Sequence, residues 1–109
     1  MGVDVVLMRV HQPGTSRRRR RSTPVEVLVD HGDAFARLCA GSVLPLLSRI
    51  DPYGSLHLTS AQMPQLADEL AALRTRTGLE ADRGTLDQVM DLARRCAGDA
   101  ATELHFEGD

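Results

Sequence analysis

The sequence predicts a single α+β domain of two layers, with helices packed on one face of a mixed sheet of about four strands. Three observations predict it. Short β-branched or alternating segments stand near both ends of the chain, and two amphipathic helical stripes lie between the last two of them. Each helical pattern is apolar on one side only, so helices and strands must bury those sides against one another. The firmest unit is residues 55–107, read as strand, helix, helix and closing strand.

Residues 3–10 (VDVVLMRV) are apolar, β-branched and too short for a helix, which suits a central strand. Residues 11–23 then read as an exposed, flexible loop. Pro13-Gly14 and Ser22-Thr23-Pro24 bracket five consecutive arginines whose like charges repel. In residues 25–30, Val25, Val27 and Val29 recur at spacing two, as in a pleated strand that closes a hairpin with the first. Thr23-Pro24-x-Glu26 competes with this reading, because it also matches a helix-starting capping box.

Asp33 is placed to cap a short helix whose Phe35, Leu38 and Cys39 share a face, and Gly41 is a natural stop. After Pro45 a second short turn buries Leu46, Leu47 and Ile50. Asp51, Pro52 and Gly54 then occupy the first, second and fourth positions of a type I turn around Tyr53.

Residues 55–59 alternate cleanly, with Leu56 and Leu58 inward and His57 outward. A helix begins near Ser60, and Met63, Leu66, Ala67, Leu70 and Leu73 form its apolar stripe, with Arg74 and Arg76 in its last turn. Thr85 and Gln88 read as a capping box for the next helix, whose Leu86, Val89, Met90, Ala93 and Cys96 share a face until Gly98. The final strand, residues 102–107, points Leu104 and Phe106 inward and Glu103, His105 and Glu107 outward.

At 109 residues the chain has the length of one domain, and its three aromatic residues leave an essentially aliphatic core without the ring pairs of a base-stacking platform. No run reaches the length of a membrane span, and no secretory signal opens the chain, so a cytoplasmic protein without a membrane partner is expected. Cys39 and Cys96 read as small buried hydrophobes and lack the spacing of a structural zinc site. All 13 basic residues are arginine, and the net charge of −2 becomes −7 once the run of five is set aside, so the body is acidic.

The polar faces of the strands would gather Glu26, Asp30, His57, Glu103, His105 and Glu107 on one open side of the sheet. Imidazole with carboxylate suits a divalent metal, but a solvated sheet face requires alternating polar residues in any case, so no metal site is assigned. In Asp30-His31-Gly32-Asp33, an acid–base cluster competes with a plain strand-to-helix junction that accounts for every residue. The nucleophile, phosphate-loop, zinc-protease and dinucleotide motifs are absent. No catalytic residue and no cofactor are assigned.

From Ile50 onward, the turn Ile50-Asp51-Pro52-Tyr53-Gly54, the helix start Gln62-Met63-Pro64 leading to Glu69-Leu70, and the ending Phe106-Glu107-Gly108-Asp109 resemble a group of short, functionally uncharacterised bacterial proteins. Gly2-Val3-Asp4-Val5 resembles their opening strand. The likeness departs in the arginine segment, in residues 25–30, and at Ser55, where an acid is expected. It implies a bacterial single-domain protein and carries no activity.

Two binding functions follow. The first is a small non-catalytic protein-interaction module, an immunity- or antitoxin-like or regulatory partner, that meets another protein or a second copy of itself through Asp51, Pro52, Tyr53, Gly54, His57 and His105. The alternative is phosphate binding, on nucleic acid or an acidic partner, by Arg17, Arg18, Arg19, Arg20 and Arg21, because guanidinium pairs bidentately with phosphate and carboxylate.

Overall fold

The structure, a computed structural model, describes residues 2–11 and 21–108. In chain order its elements are strand β1 (Val3–His11), strand β2 (Arg21–Leu28), helix α1 (Ala34–Cys39), strand β3 (Ser55–Thr59), helix α2 (Met63–Arg76), helix α3 (Glu80–Ala97) and strand β4 (Thr102–Gly108). The strands form one sheet in the order β2-β1-β4-β3, with the helices on one face. The α+β class and the two layers agree with the sequence. The mixed sheet does not, because every pairing is antiparallel.

Antiparallel pairing follows from the connections. A hairpin reverses the chain between β1 and β2. Between β3 and β4 two consecutive helices carry it out and back, so β4 enters where β3 left and runs against it. The middle of the sheet is therefore the pairing of the first strand with the last, Val3 opposite Gly108 through Arg9 opposite Thr102.

Opposed residues of an antiparallel sheet share a face, so the register defines both sides. Leu28, Val5, Phe106 and Leu56 form one row under the helices, and Leu7, Leu104 and Leu58 form the next. Met63, Leu66 and Leu70 of α2 and Leu86, Val89, Ala93 and Cys96 of α3 close the core over these rows. Phe35 stacks on Phe106 with centroids 6.0 Å apart. Asp82, buried in the first turn of α3, takes the Arg37 guanidinium at 3.0 Å and ties α1 to that helix.

Several boundaries differ from the sequence reading. Of the residues 11–23 expected as a flexible loop, His11 completes β1, and Arg21, Ser22 and Thr23 open β2 opposite His11, Val10 and Arg9; the others lie outside the described residues. Pro24 sits in a strand and starts no helix, at a register slip opposite Leu7 and Met8, which an edge strand tolerates because no neighbour needs its missing N–H. Helix α3 begins at Glu80, so Thr85 is interior and its hydroxyl donates to the Ala81 carbonyl at 3.2 Å. A 3-10 turn, Ser60–Gln62, precedes α2 with its own capping box, in which the Gln62 Oε1 accepts the Thr59 N–H at 2.9 Å.

Both cysteines are free and buried. Burial pushes the Cys39 thiol up to about 12, and Cys96 is also raised, chiefly by burial, which disfavours the thiolate form of both. No helix among the described residues is long and apolar enough to cross a membrane.

Candidate functional site

On the side away from the helices, one row crosses all four strands: Val27, Val6, His105 and His57. Pro24, Met8, Glu103 and Thr59 lie on one flank of it, and Asp4, Glu107 and Ser55 on the other. The face therefore divides, with an apolar half over β2 and β1 and an imidazole–carboxylate half over β4 and β3.

His57 and His105 are directly opposed, and their rings stack with centroids 3.6 Å apart and planes 7° from parallel. His57 Nε2 lies 3.2 Å from Glu107 Oε1, and His105 Nδ1 lies 3.8 Å from the same oxygen. His105 Nε2 meets Glu103 Oε1 at 3.0 Å, and the Ser55 hydroxyl donates to the other oxygen of Glu107. His105 is buried by its neighbours although it faces outward, whereas His57 is half exposed. The strand alternation of residues 55–59 and 102–107 already pointed these side chains outward; the register adds that they meet.

Glu26 and Asp30, expected on the same face, are elsewhere. Glu26 stands opposite Leu7, on the helix side, where it pairs with Arg95 of α3. Parity explains this: Leu28 must face Val5 in the core, which turns Glu26 the same way and Val27 outward. As a result Val25, Val27 and Val29 are 45%, 52% and 50% exposed. On the inner side β2 reaches beyond the helices, leaving a groove of about 250 Å³ between Glu26, Leu28 and the Gln88 and Asp91 of α3.

Asp30 is a structural hub. Its two carboxylate oxygens accept the backbone N–H groups of Val3, Phe35 and Ala36 at 2.8–2.9 Å, while its own N–H donates to Asp4. The cap of α1 is thus Asp30, with Asp33 held in the left-handed region at φ 58° after Gly32 at 64°. His31 is exposed beside them. The sequence missed a second acceptor of this kind, the buried Glu69 of α2, whose carboxylate takes the N–H groups of Leu46 and Leu47 and the Gln65 amide at 2.9–3.1 Å.

The turn at Asp51, Pro52, Tyr53 and Gly54 forms as expected, with the Gly54 N–H on the Asp51 carbonyl at 3.1 Å and the Tyr53 N–H on the Asp51 side chain at 2.9 Å. Tyr53 is exposed. The rest of the turn lies on the end of β4, where the Gly108 N–H donates to the Gly54 carbonyl at 2.7 Å. A Cβ at Gly108 would fall 2.4 Å from the Pro52 carbonyl. Gly108→Ala is therefore expected to lower stability by about 1–2 kcal/mol in urea denaturation; an unchanged midpoint would show that the turn yields without cost.

Of the five arginines, Arg17, Arg18, Arg19 and Arg20 lie outside the described residues, and Arg21 is exposed at the start of β2. The fold and this face define a small two-layer α+β domain whose half-apolar outer sheet face no described residue covers. No protein-family model, curated protein or solved structure matches the chain.

Proposed function

We propose that the chain is a small non-catalytic protein-interaction module, an immunity- or antitoxin-like or regulatory partner, that binds through the open face of its sheet. The observation that carries this reading is the exposed valine edge: Val27 beside Val6 on a face over which the described residues place no second layer, with exposed Val25 and Val29 nearby in the chain. Clustered apolar side chains on an uncovered sheet are a recurrent mark of association surfaces. With Asp4, Glu103 and Glu107 bordering them, the matching surface is another protein with an apolar centre and a basic rim. A cytoplasmic, bacterial setting goes with this reading, supported by the two free, buried cysteines and by the meeting of the 51–54 turn with Gly108, which joins the two ends of the resemblance.

The test is reconstitution. A protein that co-purifies from the source cells is purified alone, recombined with this chain, and compared with Val27→Asp. The expected result is a one-to-one complex weakened at least about tenfold by that exposed substitution. A chain that stays monomeric and captures nothing, or a complex indifferent to Val27→Asp, overturns the reading; a homodimer lost in Val27→Asp replaces the other protein by a second copy. Nucleic-acid binding through Arg17–Arg21 gains no support from the described residues, where Arg21 alone represents the run.

A further inference from the structure

We infer that His57, His105 and Glu107 form a binding site for a divalent transition-metal ion of the zinc class, independent of the valine edge and of any partner. Sequence spacing could not show it, because the three residues come from two strands and meet only through the register that sets His57 opposite His105 and Ser55 opposite Glu107. One donor atom from each of the three lies within 4.8 Å of the others. Two imidazoles with one carboxylate are the donor set that zinc, nickel and copper favour over magnesium or calcium.

The surrounding contacts prepare the site. His105 Nε2 faces Glu103 Oε1 at 3.0 Å, so the proton on that nitrogen is held by a carboxylate and the Nδ1 lone pair is left toward Glu107. A carboxylate behind a ligating histidine fixes its tautomer and raises its basicity. The Ser55 hydroxyl donates to the second oxygen of Glu107, while Oε1 meets His57 Nε2 at 3.2 Å; an ion would replace the proton shared across that contact, which is released to solvent.

The two rings stack face to face, with centroids 3.6 Å apart and planes 7° from parallel. A metal bond lies in the plane of an imidazole, so binding requires the two planes to turn apart and the donor atoms to close to roughly 3.3 Å, as bonds of about 2.0–2.1 Å demand. His57, with half of its side chain exposed, supplies that rotation, and buried His105 supplies the fixed ligand. Three protein ligands at the solvent boundary leave a fourth position to water or to a donor from a bound partner.

The test uses the full, untagged chain at neutral pH, dialysed against zinc chloride at about 100 µM and then analysed for bound metal, beside His57→Gln and Glu107→Gln. The expected result is one zinc per chain, with affinity reduced at least about tenfold in each variant and with thermal transitions like that of the parent. Less than about 0.1 zinc per chain, or equal affinity in His57→Gln, overturns the site. If a variant fails to fold, the parent chain still decides. Copper(II) added in small amounts is expected to broaden the backbone resonances of residues 56–58 and 104–107 first, and broadening centred on His11, His31 or elsewhere overturns the proposal equally.

Discussion

Glu69→Leu is expected to destabilise the domain by about 3 kcal/mol, which for a chain of this size is roughly 15 °C in Tm. Leucine fits an otherwise apolar site, so the loss comes from hydrogen bonding. The carboxylate is the acceptor for two buried backbone N–H groups, Leu46 at 2.9 Å and Leu47 at 3.0 Å, and it also takes the Gln65 amide. Without it those donors are sealed from water between α2 and the 3-10 turn Leu47–Arg49, and each unsatisfied buried donor costs about 1–3 kcal/mol. Glu69→Gln keeps one acceptor oxygen but turns an NH₂ group toward a donor, so it is expected to fall between the parent and the leucine variant. Thermal melts of the three chains check the ranking. Equal melting temperatures would mean that the segment around Leu46 simply moves away.

Glu69 also shows where the sequence stops being legible. Its helix stripe was readable as Met63, Leu66, Ala67, Leu70 and Leu73, because a 3.6-residue period is a local property. Glu69 lies one position from that stripe and has no local reason to be buried. Its backbone partners, Leu46 and Leu47, are more than 20 residues earlier, and only the docking of residues 46–47 onto α2 brings them together. Likewise α3 starts six residues before the position that the Thr85 capping box implies. Thr85 and Gln88 imitate a cap, whereas the real start at Glu80 has no side-chain cap and gains from Asp82, whose Arg37 partner belongs to α1.

The candidate site was legible by halves. Alternation in residues 55–59 and 102–107 shows that His57, Glu103, His105 and Glu107 face away from the leucines, but which residues stand opposite depends on register, and register depends on the whole sheet. In β2 the signal was ambiguous from the start. Valines at every second position resemble a buried face, yet β2 lies at the edge and only Leu28 reaches the core. The valines consequently point to solvent, and Glu26, assigned to the open face, turns to Arg95.

Asp30→Ala is expected to cost at least as much as the Glu69 substitution, about 3–4 kcal/mol. Asp30 joins two elements through three donors: it holds the first N–H of β1, through Val3, and the first-turn N–H groups of α1, through Phe35 and Ala36. Helix α1 has only six residues, too few to persist on its own, so its place depends on this cap and on Phe35 against Phe106. The energies are not additive, because one carboxylate serves all three donors, and bonds to a charged acceptor of about 1.5–3 kcal/mol each set an upper bound above the expected figure. Asp30→Asn discriminates between charge and geometry. It retains an acceptor for Phe35 on one oxygen but presents an amide donor to Val3 and Ala36, so it should recover little of the loss. Hydrogen exchange at Val3, Phe35 and Ala36 gives the local readout, with protection lost at all three in Asp30→Ala; protection kept at Phe35 and Ala36 would show that α1 is held by its core contacts alone.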